Sequence, residues 1–249
     1  MGGIGRTYFM SNRKLAAGVV FGAVLILAQV PAQAADLIVR TSLTFSGALD
    51  AVSAGYEKAS GDKVHPVSAG GEAPDLLILQ KAALDPLIKG GTVDPKSVVD
   101  LVTVRIGVAG RSGVPLDVST NDKFKAALLA AKAVVVSGAS SGQYVTKEVF
   151  TKLGIADQMK AKTKVIRGSV GDSIAKGEAD LGFQQMSELL QTKAIMVKRI
   201  PEDLQSVTTV SGAITTGAKS PDAAKKLMAY VKSPAAAAAL KTMDMEATK

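Results

Sequence analysis

The sequence contains no cysteine and no tryptophan, one histidine, and only six phenylalanines and four tyrosines in 249 residues. Without cysteine there is no disulfide framework, no thiol chemistry and no lipid attachment at a cysteine. A single imidazole, His65, excludes a histidine-clustered zinc site and leaves a Ser–His–Asp type of mechanism with one candidate base. His65 itself reads as a bystander near a turn. The spacing from Gly138 to Gly142 is not followed by a lysine, so it is not a phosphate-binding P-loop, and no Gly-x-Gly-x-x-Gly run opens a helix. Scarce aromatics and the lack of any long basic block argue against nucleic acid as a partner. No metal and no cofactor are expected.

What is present begins with an N-terminal pattern. Arg6, Arg13 and Lys14 precede an uncharged run from Leu15 to Val30, and Pro31-Ala32-Gln33-Ala34 then places small residues at the minus-three and minus-one positions before Ala35. This predicts a signal peptide over residues 1–34, with Met1 or Met10 as its start and cleavage near Ala34-Ala35. The apolar run is shorter than the ~20 residues of a membrane span. The expected mature protein is soluble and periplasmic. Removing Arg6, Arg13 and Lys14 with the leader lowers the formal charge of the chain from +8 to +5, a mild bias toward anions that lysines on solvated helix faces would also give.

Short runs rich in Val, Ile and Leu at Asp36–Thr41, Asp75–Leu79, Val104–Ala109, Ala133–Ser137, Lys164–Arg167 and Leu181–Gln184 read as buried parallel strands. Helix-period segments lie between them, marked by Leu49, Val52 and Tyr56, by Phe124, Leu128 and Ala131, and by Val145, Val149 and Leu153. Alternation of this kind predicts an α/β fold with mostly parallel sheets. Ser140 with Gln143 three residues on reads as a capping box. Ser220-Pro221 and Ser233-Pro234 open two C-terminal helices, Pro221–Val231 and Pro234–Met243. No internal sequence repeat is visible.

Three small-residue turns stand between strand and helix: Thr41–Ser46, Ser137–Gly142 and Gly168–Gly171. Such turns offer free N–H groups and hydroxyls at the positive end of a helix dipole, where a small oxyanion or carboxylate binds. Arg111 and Arg167 are possible charge partners for a carboxylate.

Ser140–Ile155 (SSGQYVTKEVFTKLGI) and Gly177–Ser187 (GEADLGFQQMS) resemble the second lobe of periplasmic molybdate-binding proteins, the ModA-like branch of type II solute-binding proteins. Thr41-Ser42-Leu43-Thr44, Pro74-Asp75-Leu76-Leu77-Ile78, Pro201-Glu202-Asp203 and Ser220–Lys225 extend the resemblance over roughly residues 36–249. It implies a two-lobed periplasmic binding protein type II fold, a hinge between lobes, and ligand contacts from Ser42, Thr44, Ser140, Ser141, Val170 and Gln185. Lobe one would comprise 35–103 and the returning 208–249, and lobe two 104–207. The implied protein is a monomer that captures a small anion for an inner-membrane ABC permease. Two departures stand out. Gln185 replaces a tyrosine that molybdate binders of the family carry, and only Ser68–Pro74 separates two strands that a longer, helix-containing segment joins in the family. Phe183-Gln184-Gln185 with Ser187-Glu188-Leu189-Leu190 resembles a sub-branch that includes aconitate isomerase. Proton transfer between allylic carbons is thus an alternative, with Glu188 and Asp172 as available carboxylates and neither assigned as base. A periplasmic sensor domain is a third reading.

Overall fold

The computed structural model describes residues 1–3, 5, 34–113 and 116–249. The basic and apolar parts of the expected leader lie outside the described residues. Among the described residues no helix is long and apolar enough to cross a membrane.

The chain runs β1 (Asp36–Thr41), α1 (Leu43–Ser60), β2 (Lys63–Val67), β3 (Leu76–Gln80), α2 (Lys81–Lys89) and then a long β4 (Val99–Arg111). After α3 (Asn121–Ala130) and β5 (Val134–Ser137), α4 (Ser140–Tyr144), a π turn (Val145–Val149) and α5 (Phe150–Lys152) continue as one helical segment. There follow α6 (Ala156–Lys160), β6 (Thr163–Ile166), α7 (Val170–Ala175), β7 (Leu181–Gln185), α8 (Met186–Leu189) and β8 (Ile195–Arg199). The chain closes with β9 (Val207–Ile214), α9 (Pro221–Val231), α10 (Pro234–Thr242) and β10 (Met245–Ala247).

The strand order β2-β1-β3-β9-β4-β7-β5-β6 contains one motif twice. In β2-β1-β3 and in β6-β5-β7 the middle strand comes first in sequence and pairs in parallel with both neighbours. Sequence repetition is absent because the motif is topological: each copy needs only buried strands and crossover elements, which many apolar sequences supply. β4 belongs to both halves. Its first part pairs antiparallel with β9 and β10, and its second part, from Ile106 on, with β7 and β8. The fold is α/β and two-lobed. Val104–Ala109, expected among the parallel strands, lies in β4 and pairs antiparallel with all its partners, because an apolar run does not encode the direction of its neighbours; β8, β9 and β10 add further antiparallel strands.

Each half has its own core. Thr44, Phe45, Ala48, Leu49, Val52 and Tyr56 make the buried stripe of α1, at helical spacing, and it packs with Leu37, Val39, Leu227 and Val231. Gly61 adopts φ +81° and closes α1 by donating its N–H to the Glu57 carbonyl, a conformation a side chain would strain. In the second half Phe183 meets Phe124 and Phe150 edge to face at 6.1 Å between centroids, within a core that includes Val136, Val145 and Ile155.

The short link between β2 and β3 works because the two strands are staggered. β2 ends with Val67 opposite Arg40, whereas β3 begins with Leu76 opposite Val39. The link therefore only crosses from one side of β1 to the other at nearly one level, and it needs no helix. It crosses beside Arg40, whose Nη2 donates to the Glu72 carbonyl. The two proline-led helices open as expected, although neither serine caps with its side chain. Ser220 Oγ donates to the Asp36 carbonyl and Ser233 Oγ to the Tyr230 carbonyl.

Candidate functional site

In a twisted parallel sheet, side chains and helix N-termini at the carboxyl ends of the strands face a common crevice. Here a cleft of about 400 Å³ lies against five of the six parallel strand ends. Ser42, Leu43 and Thr44 line it after β1, Leu79 and Gln80 at the end of β3, and Ser137, Gly138 and Ala139 after β5. Ile166, Arg167 and Gly168 line it after β6, and Gln184 and Glu188 around the end of β7. β2 contributes nothing, in keeping with its helix-free link.

Two approaches make this geometry possible. Ser42 keeps extended backbone, φ −80° and ψ 166°, and turns the chain from β1 straight into the 18-residue α1. Phe45 and Ser46 both return their N–H groups to the Ser42 carbonyl, which leaves the first two N–H groups of α1, those of Leu43 and Thr44, without a helical acceptor. On the opposite wall Gly142 lets α4 lie directly against the end of β5, because a Cβ there would run into the Ser137 carbonyl. The Ser140–Gln143 capping box does not form. Ala139 is the N-cap, and Ser140 Oγ instead donates 2.8 Å to Gln80 Oε1 on the facing wall.

That bond starts a polar chain into the interior. Gln80 Nε2 donates to Thr44 Oγ1 at 3.1 Å, and Thr44 Oγ1 donates to Glu188 Oε1 at 2.6 Å. Ser187 Oγ donates to the Thr44 carbonyl, so α8 holds the first turn of α1 at two points. Glu188 is only 7% exposed. Burial pushes its carboxyl above the ordinary glutamate range, and the hydrogen bonds of Thr44 and Gln184 pull it partly back. No cation pairs with it among the described residues. Arg167, by contrast, is exposed and lines the same cleft without an ion pair of its own among the described residues.

Of the residues expected from the sequence to contact ligand, Ser42 and Thr44 line the cleft, and Ser140 stands at its edge through Gln80. Ser42 Oγ is buried and has no partner among the described residues. Ser141 is buried at the start of α4. The Val170 N–H is satisfied within the protein by Gln184 Oε1 at 2.8 Å. Gln185 points away from the cleft, to Thr208 Oγ1 at 2.9 Å, and leaves its own Oε1 buried without a partner among the described residues. Arg111 pairs with Asp180 at 3.3 Å beside a separate surface cleft. Asp172 accepts from Thr192 Oγ1 and does not line the main cleft. Gln80 and Gln184 were not anticipated. Gln80 carried a readable signal, a polar residue ending an apolar strand run. His65 is exposed on β2, bonded to Asp36. No group of three or more potential metal ligands occurs among the described residues.

The arrangement offers free N–H groups at a helix N-terminus, a cation, hydroxyl and amide groups, and one buried carboxyl, all on one small cavity. Residues 37–243 match the family model described as bacterial extracellular solute-binding protein. An aconitate isomerase from Pseudomonas sp. is 35% identical over 244 residues, spanning 89% of this chain and 93% of the relative. Among solved structures, the periplasmic molybdate-binding protein of Azotobacter vinelandii is similar with a TM-score of 0.70 at 21% identity, covering 86% of this chain and all of that one. The substrate-binding domain of a putative molybdenum ABC transporter from Clostridium difficile is similar with a TM-score of 0.65, also at 21% identity, over 87% of this chain and all of that one. At these identities the two structures bear on the fold alone.

Proposed function

This chain belongs to the family of bacterial extracellular solute-binding proteins, and from that premise we propose that its cleft captures a small unsaturated polycarboxylate and isomerises it by moving a proton between allylic carbons. The observation that carries the reading is the presence on one cleft of buried Glu188 and of Arg167, which has no ion pair among the described residues. Arg167 and the N-terminus of α1 favour an anion. A buried carboxyl beside a bound anion is repulsive when ionised, so a site built only to hold an oxyanion has no use for one. A site that must take and return a proton does. The aconitate isomerase relative supports this substrate class, and the orientation of Gln185 away from the cleft weighs against a metal oxyanion.

The protein would work in the periplasm after removal of residues 1–34. Its lobes, 35–103 with 208–249 and 104–207, would close on the ligand about the β4 crossing and the return into β9. A second reading, delivery of the anion to an inner-membrane ABC permease, is favoured by the family match.

The test is a thermal-shift panel on the chain from Ala35 with molybdate, tungstate, sulfate, phosphate, citrate, and cis- and trans-aconitate. It is followed by proton NMR of the binding acids. A ligand at ~100 times its dissociation constant adds about 2.7 kcal/mol to stability, visible as several degrees. A response to the tricarboxylates with interconversion of the aconitates supports the isomerase. Binding of tricarboxylates without turnover supports delivery, and a response confined to molybdate and tungstate overturns the substrate class.

A further inference from the structure

The polar chain Ser140–Gln80–Thr44–Glu188 has a direction, and the direction singles out one oxygen. Ser140 donates to Gln80 Oε1, so the Gln80 amide presents its Nε2 hydrogens to Thr44. The Thr44 hydroxyl then accepts from Gln80, and its own hydrogen goes to Glu188 Oε1 at 2.6 Å. Oε1 is thereby held as an acceptor. When Glu188 is neutral its proton belongs on Oε2, the oxygen that Thr44 leaves open, on a side chain that lines the cleft. Of the lining residues, Arg167 is the only other ionisable group, and a guanidinium does not release its proton in a protein.

We propose that Glu188 is the catalytic acid–base residue of this cleft, acting through Oε2, and that Thr44, reaching it from α1, is the positioning residue that fixes which oxygen reacts. The assignment rests on the isomerase reading above. Oε2 of the ionised carboxylate removes a proton from the methylene beside the double bond. The C–H bond breaks, an O–H bond forms, and the electron pair spreads through the double bond onto the carboxylate conjugated with it. Arg167 and the free N–H groups of α1 stabilise that charge. The O–H bond then breaks as the proton passes to the far carbon of the three-carbon unit, and the double bond has moved one position. Atoms, charge and electrons balance with no other reactant.

Because Thr44 and Glu188 come from opposite walls, the carboxyl is aimed only while those walls are in contact. Thr44 also favours the ionised form by donating to it. Its removal should therefore change the pH at which the base becomes available as well as the rate.

The experiment follows interconversion of cis- and trans-aconitate by NMR in deuterated buffer, with a thermal shift by trans-aconitate as the binding readout. The variants are Glu188→Gln, Glu188→Asp, Thr44→Val and Thr44→Ser, with Asp172→Asn as a control outside the cleft. Glu188→Gln should bind and lose about 10²–10⁴-fold in kcat, together with deuterium incorporation. Thr44→Val should lower kcat and move the ascending limb of the kcat–pH profile to higher pH, and Thr44→Ser should restore both. Wild-type turnover by Glu188→Gln overturns the catalytic assignment, and an unmoved limb in Thr44→Val overturns the positioning role. Should Glu188→Gln not fold, turnover and deuterium incorporation in Glu188→Asp and the limb in the two Thr44 variants decide. A wild-type protein that binds trans-aconitate but neither interconverts nor exchanges it overturns the isomerase reading itself.

Discussion

Ser140 donates a 2.8 Å hydrogen bond to Gln80 across the cleft, joining the first turn of α4 to the tip of β3. The two residues are 60 positions apart, and their bond is a tie between facing walls. Its net value is about 1 kcal/mol, the usual worth of a neutral pair in partial contact with water. Ser140→Ala should therefore reduce the population of the closed arrangement and weaken trans-aconitate binding by up to about fivefold. The melting temperature of the free protein should fall by no more than roughly 2–4 °C. Calorimetric titration beside thermal denaturation checks this, and unchanged affinity would remove the tie from the account of closure.

Arg167 carries the second prediction. A charge-assisted bond to a carboxylate contributes about 1.5–3 kcal/mol, so Arg167→Ala should weaken tricarboxylate binding roughly 10- to 150-fold. Arg167→Lys should recover only part of this, because an ammonium cannot grip a carboxylate through two parallel bonds. The dependence of affinity on salt should also flatten in Arg167→Ala. Its exposed position on the cleft predicts little effect on folding stability.

Glu188 makes stability depend on pH with a defined sign. Its carboxyl titrates higher in the folded protein than in the unfolded chain, because burial disfavours the charge. Below the ordinary glutamate range both states are neutral and the residue costs nothing. As pH rises through that range toward the raised folded value, the unfolded chain ionises first and stability falls, levelling off above the folded value. Glu188→Gln removes this decline. Melting curves from pH 4 to 8 should show the variant gaining on the wild type as pH rises, in the absence of ligand. A constant difference across that range would show that the carboxyl is not held neutral by the fold.

Much of this was legible in the residues. β4 was read five residues short at its start, but the other five Val-, Ile- and Leu-rich strands were found within a residue, and both proline-led C-terminal helices were placed, because these signals are local. The antiparallel strands β8, β9 and β10 were not, since they are recognised only by pairing with β4 and β3, far away in sequence. The strand-end turns at Ser42–Thr44 and Ser137–Ala139 were legible for the same local reason, and both line the cleft. What could not be read was direction. Gln184 and Gln185 are adjacent and identical, yet alternation along β7 sends one toward the turn after β6 and the other to Thr208. Ser140 likewise carries the composition of a cap and serves as a bridge, because its partner Gln80 lies on another strand.

Gly142 tests whether the wall of the cleft depends on close packing between α4 and β5. A Cβ at this position would be driven into the Ser137 carbonyl, and backbone on both sides has little room to yield. Gly142→Ala should destabilise the protein by about 1–3 kcal/mol, the usual cost of overpacking, and lower the melting temperature by roughly 2–4 °C for each kcal/mol. Because Ser137, Gly138 and Ala139 line the cleft, displacing α4 should also weaken the stabilisation by trans-aconitate. Gly154→Ala provides the contrast. It strains a left-handed residue, φ +67°, that does not line the cleft, so it should lower the melting temperature while leaving the ligand response intact. Loss of the ligand response in both variants would mean that general destabilisation, rather than the seat of α4 on β5, sets the site. A wild-type melting temperature in Gly142→Ala would mean that the helix can step back at no cost.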